Sequence, residues 1–162
     1  MRDQALSRAR LTAILVPVAL LGGAIGSQYI GGLFPCEMCM WQRWPHVAAI
    51  FAALAAIALR RNPPMSATFT MLSALALATT GGIGAFHAGV EYGWWEGLTT
   101  CATTMSHSEG QSMLDSIMQA KLVRCDVAPW TLFGISLAGF NAIFSLVGAL
   151  LTILLVRKWS RP

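Results

Sequence analysis

SATFTMLSALALATTGGIGAFHAGV, Ser66 to Val90, runs for 25 residues without an Asp, Glu, Lys or Arg. A helix of about 20 apolar residues spans the roughly 30 Å hydrocarbon core of a bilayer, so this stretch reads as a transmembrane helix. Three more apolar runs surround it: Leu11–Ile30, Pro45–Leu59 and Thr131–Val156. Of the 162 residues 56% are hydrophobic and 11% charged, against about 25% charged in an ordinary soluble domain. The run at Pro45 is short, so its helix is expected to start near Met40, with Trp41 and Trp44 in the interfacial aromatic belt and Arg43 near the headgroups. The expected architecture is an all-α membrane protein: one four-transmembrane-helix bundle over residues 1–162, with spans at about 11–30, 41–59, 66–90 and 131–156 and loops at about 31–44 and 91–130. No long repeat, low-complexity tract or linker divides the chain. Gly22/Gly26, Gly81/Ala85/Gly89 and Gly134/Ala138/Ala142 repeat small residues every four positions and are expected at helix contacts.

Lys and Arg in short loops set orientation, because positive segments stay cytoplasmic. Arg2, Arg8 and Arg10, then Arg60 and Arg61, then Arg157, Lys158 and Arg161 mark both termini and the middle turn as inside. The other two loops are poorer in net positive charge and belong outside. The first 30 residues also have some marks of a signal peptide, but the apolar run is long for one, and cleavage would leave the later loops on the same side. The positive-inside segments account for the net charge of +4, and no nucleic-acid partner is implied.

All four cysteines, Cys36, Cys39, Cys101 and Cys125, fall in the two outer loops. An even number of exported thiols points to disulfide chemistry. A bridge between Cys101 and Cys125 would close a loop of about 25 residues and stabilise by roughly 3.5 kcal/mol, whereas one between Cys36 and Cys39 would close a ring of about four and constrain little. The second kind is a poor staple and a good redox site. Pro35 fits the first turn of a helix, which would set Cys36 near the positive end of the helix dipole and favour its thiolate. Cys39 and Arg43 are four apart and share a helix face, so the guanidinium is expected near the Cys39 sulfur. The alternatives are a structural tetraspan protein with two inert disulfides, in which Arg43 is a headgroup anchor, and a metal-binding membrane protein. Zinc sites share the C-x-x-C spacing, yet the other two cysteines are 24 positions apart and form no second close pair.

PCEMCMWQR, Pro35 to Arg43, at the mouth of the second span, FHAGVEYG, Phe86 to Gly93, at the end of the third, and RCDVAPWTLFGISLAGFN, Arg124 to Asn141, leading into the fourth, together resemble the disulfide bond formation protein B family, DsbB, of bacterial inner membranes. The resemblance covers nearly the whole chain. It implies a thiol:quinone oxidoreductase, multi-pass in the inner membrane, with both termini cytoplasmic and the cysteine loops periplasmic. Its partners would be a periplasmic thioredoxin-fold oxidase, DsbA-like, and ubiquinone or menaquinone. Such an oxidase has a potential of about −120 mV, so its re-oxidation needs a strong acceptor. The family mechanism, carried onto this chain, has the partner thiolate attack a Cys101–Cys125 disulfide. Cys125 then attacks Cys36, and the freed Cys39 passes electrons to quinone with Arg43 stabilising negative charge. His87 matches the histidine bordering the family's quinone site, and Glu91, one turn on, is placed to pair with it. His46 reads as interfacial and His107 as a loop residue. In the second loop Met113, Leu114, Ile117, Met118 and Leu122 recur at helical spacing between Gly110 and Val123, the pattern of a short interfacial helix that would anchor a movable loop.

Overall fold

The computed structural model describes residues 2–98, 102–104 and 121–160. Four long helices dominate: α1 Arg2–Tyr29, α2 Glu37–Ala58, α3 Pro63–Glu91 and α4 Leu137–Ser160. The sequence punctuates them. Asn62 caps α3, its side chain accepting the Met65 N–H at 3.3 Å, and Pro63 and Pro64 follow where a missing N–H costs nothing. At the far end of α4, Arg157 and Lys158 sit against the negative end of the helix dipole.

The helices form a ring in which α3 packs on α2 and α4, and α1 closes against α4 and α2. Three core clusters mark its levels. Leu6, Ala9, Ala67 and Val156 meet at one end, Ala49, Leu77 and Ala149 in the middle, and Cys36, Met38, Val90 and Cys125 at the other. Successive helices therefore run up and down, and Arg8, Arg10, Arg60, Arg61, Arg157 and Lys158 gather at the end opposite the cysteines.

What is buried is small or hydroxylated. Ala9, Ala13, Ala49, Ala53, Ala56 and Ala74 are fully buried, as are Ser66, Thr70, Ser73, Thr80, Ser145 and Thr152, while Leu11, Leu15, Phe51, Leu72, Phe144 and Leu150 point outward. Lipid removes the hydrophobic incentive to bury large side chains and rewards close backbone approach, so this inside-out distribution is that of a membrane bundle. A Cβ at Gly81 would lie 2.7 Å from Leu146, and one at Gly84 would lie 3.0 Å from the Ala138 carbonyl; α3 and α4 touch because neither has one. By length and composition α1, α3 and α4 suffice to cross a membrane. In α2 the first half carries Glu37, Gln42, Arg43 and His46, which lowers its hydropathy.

Three expectations change. The apolar run from Thr131 is not helical at its start: β3, Thr131–Leu132, pairs antiparallel with β4, Ile135–Ser136, and Phe133 and Gly134 both take positive φ, 52° and 77°. Two left-handed residues make the tight turn that suits a hairpin, and Gly134 thus serves that turn rather than a helix contact. Among the described residues nothing lies within 4 Å of where a Cβ would stand on Gly22 or Gly26 of α1, so this pair makes no helix contact there. Finally, the last three residues of the proposed loop helix form a strand: β1, Ala102–Thr104, pairs antiparallel with β2, Lys121–Val123, Ala102 opposite Val123. The rest of that helix, Met113, Leu114, Ile117 and Met118 included, lies outside the described residues, as do Cys101 and His107.

Candidate functional site

The cysteine end of the bundle is built from the first turn of α2, the last turn of α3 and the segment after β2. Cys36 is the N-cap of α2, its sulfur accepting the Cys39 N–H at 3.2 Å. The Cys36 and Cys39 sulfurs are 2.9 Å apart, with Cys36 as donor. That hydrogen bond, reinforced by burial, pushes the Cys36 thiol up to about 12. The expectation of a Cys36 thiolate is thus reversed. The cap does point a helix N–H at the Cys36 sulfur, but the proton is held more tightly there than on Cys39, whose thiol is shifted down by accepting the hydrogen bond from Cys36.

Across from Cys36 stand His87 and Cys125. The Cys36 and Cys125 sulfurs and a ring nitrogen of His87 all lie within 4.8 Å of one another, and all three residues are buried. Cys36 Sγ is 3.5 Å from His87 Nε2, which is also 3.7 Å from Glu91 Oε1. Three such donors could hold a soft cation; equally, their closeness is what exchange between Cys125 and Cys36 requires.

The FHAGVEYG segment supplies much of this architecture. Phe86 stacks on Trp95 with ring centroids 5.7 Å apart, and Trp95 Nε1 donates to the Phe86 carbonyl at 2.9 Å. Gly89 makes that possible, since a Cβ there would fall 2.0 Å from the indole. Val90 packs with Cys36 and Cys125. The Tyr92 hydroxyl donates to the Gly134 carbonyl at 3.1 Å and accepts the Ser136 N–H at 2.9 Å, tying the β3–β4 hairpin to the end of α3.

Two cavities meet at the thiols. The outer one, about 370 Å³, is walled by Cys36, Cys39, His87, Glu91 and residues 123, 124, 127 and 129. The inner one, about 250 Å³, lies among α1, α2 and α4 and is lined mostly by apolar side chains, with Cys39, Gln42, Arg43, His46, Glu91 and Asn141 as its polar wall. Cys39 borders both cavities, Cys36 only the outer. His87, expected beside a cofactor, borders the outer cavity, against Cys36. Arg43 does line the inner cleft, but its guanidinium donates to Gln28 Oε1 at 2.7 Å and to the Ala24 carbonyl at 3.1 Å. It therefore clamps the end of α1 to α2, its charge held at the cleft wall near the negative end of the α1 dipole.

A set of residues without an assigned role in the sequence reading joins the site. Gln42 Nε2 is 2.8 Å from His87 Nδ1, Asn141 Nδ2 donates to Gln42 Oε1 at 2.7 Å, and His46 Nε2 is 2.8 Å from Asn141 Oδ1. His46 is not interfacial but 3% exposed. The one available signal was that Gln42, His46 and Asn141 are polar residues inside apolar spans, which is costly unless they are paired or used. Among the described residues the buried side-chain polar atoms without a partner are His46 Nδ1 and Glu91 Oε2, one on each side of this set.

Comparison with known proteins agrees with the geometry. The chain is 22% identical over 142 residues to an uncharacterized protein of Rickettsia prowazekii (strain Madrid E), covering 84% of this chain and 79% of that one. No solved structure matches. Residues 7–155 match the family described as Disulfide bond formation protein DsbB. A helical membrane bundle with a C-x-x-C cap facing a third cysteine, matched to that family along almost its whole length, belongs to the DsbB family of disulfide-forming membrane oxidoreductases.

Proposed function

We propose that this protein re-oxidises a periplasmic DsbA-like dithiol oxidase and passes the electrons through two cysteine pairs to membrane quinone. The observation that carries the reading is the position of the first pair between two cavities: Cys36 faces Cys125 and the outer cavity, and Cys39 faces both that cavity and the inner cleft. Thiol exchange enters on one side and electrons leave on the other.

Cys36, Cys39, Cys101 and Cys125 are the catalytic residues of this proposal. The β1–β2 ladder, with Ala102 opposite Val123, supports a pairing of the cysteines just outside it in sequence, Cys101 and Cys125. Cys125, whose sulfur lies within 4.8 Å of that of Cys36, attacks Cys36 in this proposal, and the thiolate then released is Cys39, the member of the pair that borders the cleft. The cleft fits a quinone ring: at about 250 Å³ it falls just under the roughly 300–1,000 Å³ of drug-sized sites, its walls are apolar, and Arg43 and the unpartnered His46 Nδ1 supply charge and polarity. A quinone bound there would accept two electrons and two protons, the yield of closing Cys36 and Cys39 into a disulfide. Arg43 holds positive charge at the wall where negative charge would develop. The gathering of Arg and Lys at the end opposite the cysteines supports cytoplasmic termini and periplasmic cysteine loops in the bacterial inner membrane.

The test is ubiquinone absorbance on purified protein in detergent after addition of a reduced periplasmic dithiol oxidase, with menaquinone as a second acceptor. Loss of absorbance in the wild type and not in Cys39→Ser is expected; no change in either refutes quinone transfer. The cluster of Cys36, His87 and Cys125 also favours a second reading, a soft-cation site. Stoichiometric zinc in protein purified without added metal would support that reading instead.

A further inference from the structure

The polar chain through the core has a direction, and it is set at both amides by backbone carbonyls. Gln42 Nε2 is 3.2 Å from the Met38 carbonyl. An amide turned the other way would press two oxygens together there, so the NH₂ group must face Met38 and, with it, His87 Nδ1. Asn141 is fixed twice over. Its Nδ2 lies 3.3 Å from the Thr80 carbonyl and 3.2 Å from Thr80 Oγ1, and that hydroxyl spends its only proton on the Gln42 carbonyl at 2.9 Å, leaving it an acceptor. Ser145 Oγ donates to Asn141 Oδ1 at 3.0 Å. The chain therefore reads in one sense: His46 Nε2–H to Asn141, Asn141 N–H to Gln42, Gln42 N–H to His87 Nδ1.

A neutral imidazole that accepts at Nδ1 carries its proton on Nε2. In His87 that nitrogen faces the Cys36 sulfur at 3.5 Å, with Glu91 Oε1 at 3.7 Å on its other side. We infer that Gln42 and Asn141 are positioning residues that lock the His87 tautomer, making the ring a hydrogen-bond donor to Cys36 rather than a base for it.

The inference rests on the proposed exchange between Cys125 and Cys36 for its chemical use. When an incoming thiolate attacks Cys125 in a Cys36–Cys125 disulfide, the bond from Cys125 to Cys36 breaks and the bond from Cys125 to the incoming sulfur forms. The electron pair leaves on Cys36 as thiolate. Cys36 is 4% exposed, so water cannot solvate that charge, and the His87 Nε2–H joins the Cys39 N–H as a donor aimed at it. Gln42 and His87, the pair that sets the ring, are both buried in the bundle, where misoriented amides are most costly. That rigidity is what a tautomer lock needs.

The test uses full-length protein with its three histidines labelled with ¹⁵N, in detergent and fully reduced; nitrogen shifts report which ring atom bears the proton, and His87→Ala and His46→Ala assign the signals. His87 protonated on Nε2 is expected in the wild type. Gln42→Leu should give a mixture of tautomers, and Gln42→Glu, whose carboxylate demands a donor, should move the proton to Nδ1. Asn141→Leu repeats the Gln42→Leu shift in weaker form and serves if either Gln42 variant fails to fold. In a Cys39→Ser, Cys101→Ser background, oxidised to the Cys36–Cys125 disulfide, reduction by glutathione should slow about tenfold on adding Gln42→Leu, the scale of one hydrogen bond to a charged group. An Nδ1–H ring in the wild type, or unchanged tautomer or rate in Gln42→Leu, overturns the lock. The nitrogen spectrum needs no quinone or partner, so failure of the quinone assay with the expected spectrum would refute the proposed function and leave the lock standing.

Discussion

The two ends of the bundle are both polar inside, yet they use polarity differently. At the end carrying Arg10, Arg60 and Lys158, hydroxyls return to backbone. Ser66 Oγ donates to the Ala56 carbonyl at 2.8 Å, Ser73 Oγ to the Ala13 carbonyl at 3.1 Å, and Thr70 Oγ1 to the Ser66 carbonyl at 2.7 Å. Each is a short, closed contact between or within helices. At the cysteine end, amides, imidazoles and thiols bond mainly to one another, and both buried side-chain atoms without a partner among the described residues, His46 Nδ1 and Glu91 Oε2, are there. Closed hydroxyl contacts hold helices together; an open side-chain network keeps groups available for chemistry.

Substitutions can break or sharpen this contrast. The largest effect is expected from Cys39→Ser, which should abolish steady-state quinone reduction; residual turnover above a few per cent in the absorbance assay would remove Cys39 from the electron path. Next comes the asymmetry of the pair. With Cys36 moved from 9.0 to about 12, its thiolate fraction near neutral pH is about a thousandfold below that of an ordinary thiol. A raised value keeps the proton on as pH climbs, so iodoacetamide labelling of Cys36 should stay slow through pH 10 and rise only towards 12, read by mass spectrometry of the reduced protein. A midpoint near 9 would mean that Cys36 does not hold the proton for Cys39.

His87→Ala should slow exchange between the pairs about a hundredfold, the scale of losing a hydrogen-bond donor aimed at developing charge, while leaving quinone affinity unchanged. If affinity falls and exchange does not, the ring belongs to the inner cleft after all. Arg43→Ala should raise the quinone concentration for half-maximal turnover about tenfold with little change in the maximal rate. Equal activity at limiting quinone would restrict Arg43 to clamping α1. The smallest effect belongs to the other end of the bundle. Ser73→Ala, which removes one hydroxyl-to-carbonyl contact, should cost about 1 kcal/mol or less in detergent unfolding and leave turnover intact. Lost turnover there would erase the distinction between the two ends.

The membrane class and the four helices were legible because uncharged runs of this length have few other uses. PCEMCMWQR pointed to the DsbB family the chain belongs to, and its proposed redox role rests on a ring of about four residues constraining so little of the unfolded chain. Other features were not legible. The β3–β4 hairpin hid inside an apolar run because hydropathy is blind to the left-handed turn at Phe133 and Gly134. The proton distribution between Cys36 and Cys39 depends on a hydrogen bond whose direction no spacing encodes. Gln42 and Asn141 stand 99 positions apart, and only folding shows that α2 and α4 bring their amides together over α3.

Tyr92 has a consequence for reach. By gripping both Gly134 and Ser136 it fixes the hairpin to the bundle, and Thr131 at the hairpin's start is only six positions beyond Cys125. A fully extended tether of that length spans about 20 Å. Cys125 is thus a thiol on a short leash: from this anchor its reach ends about 20 Å from the start of the hairpin.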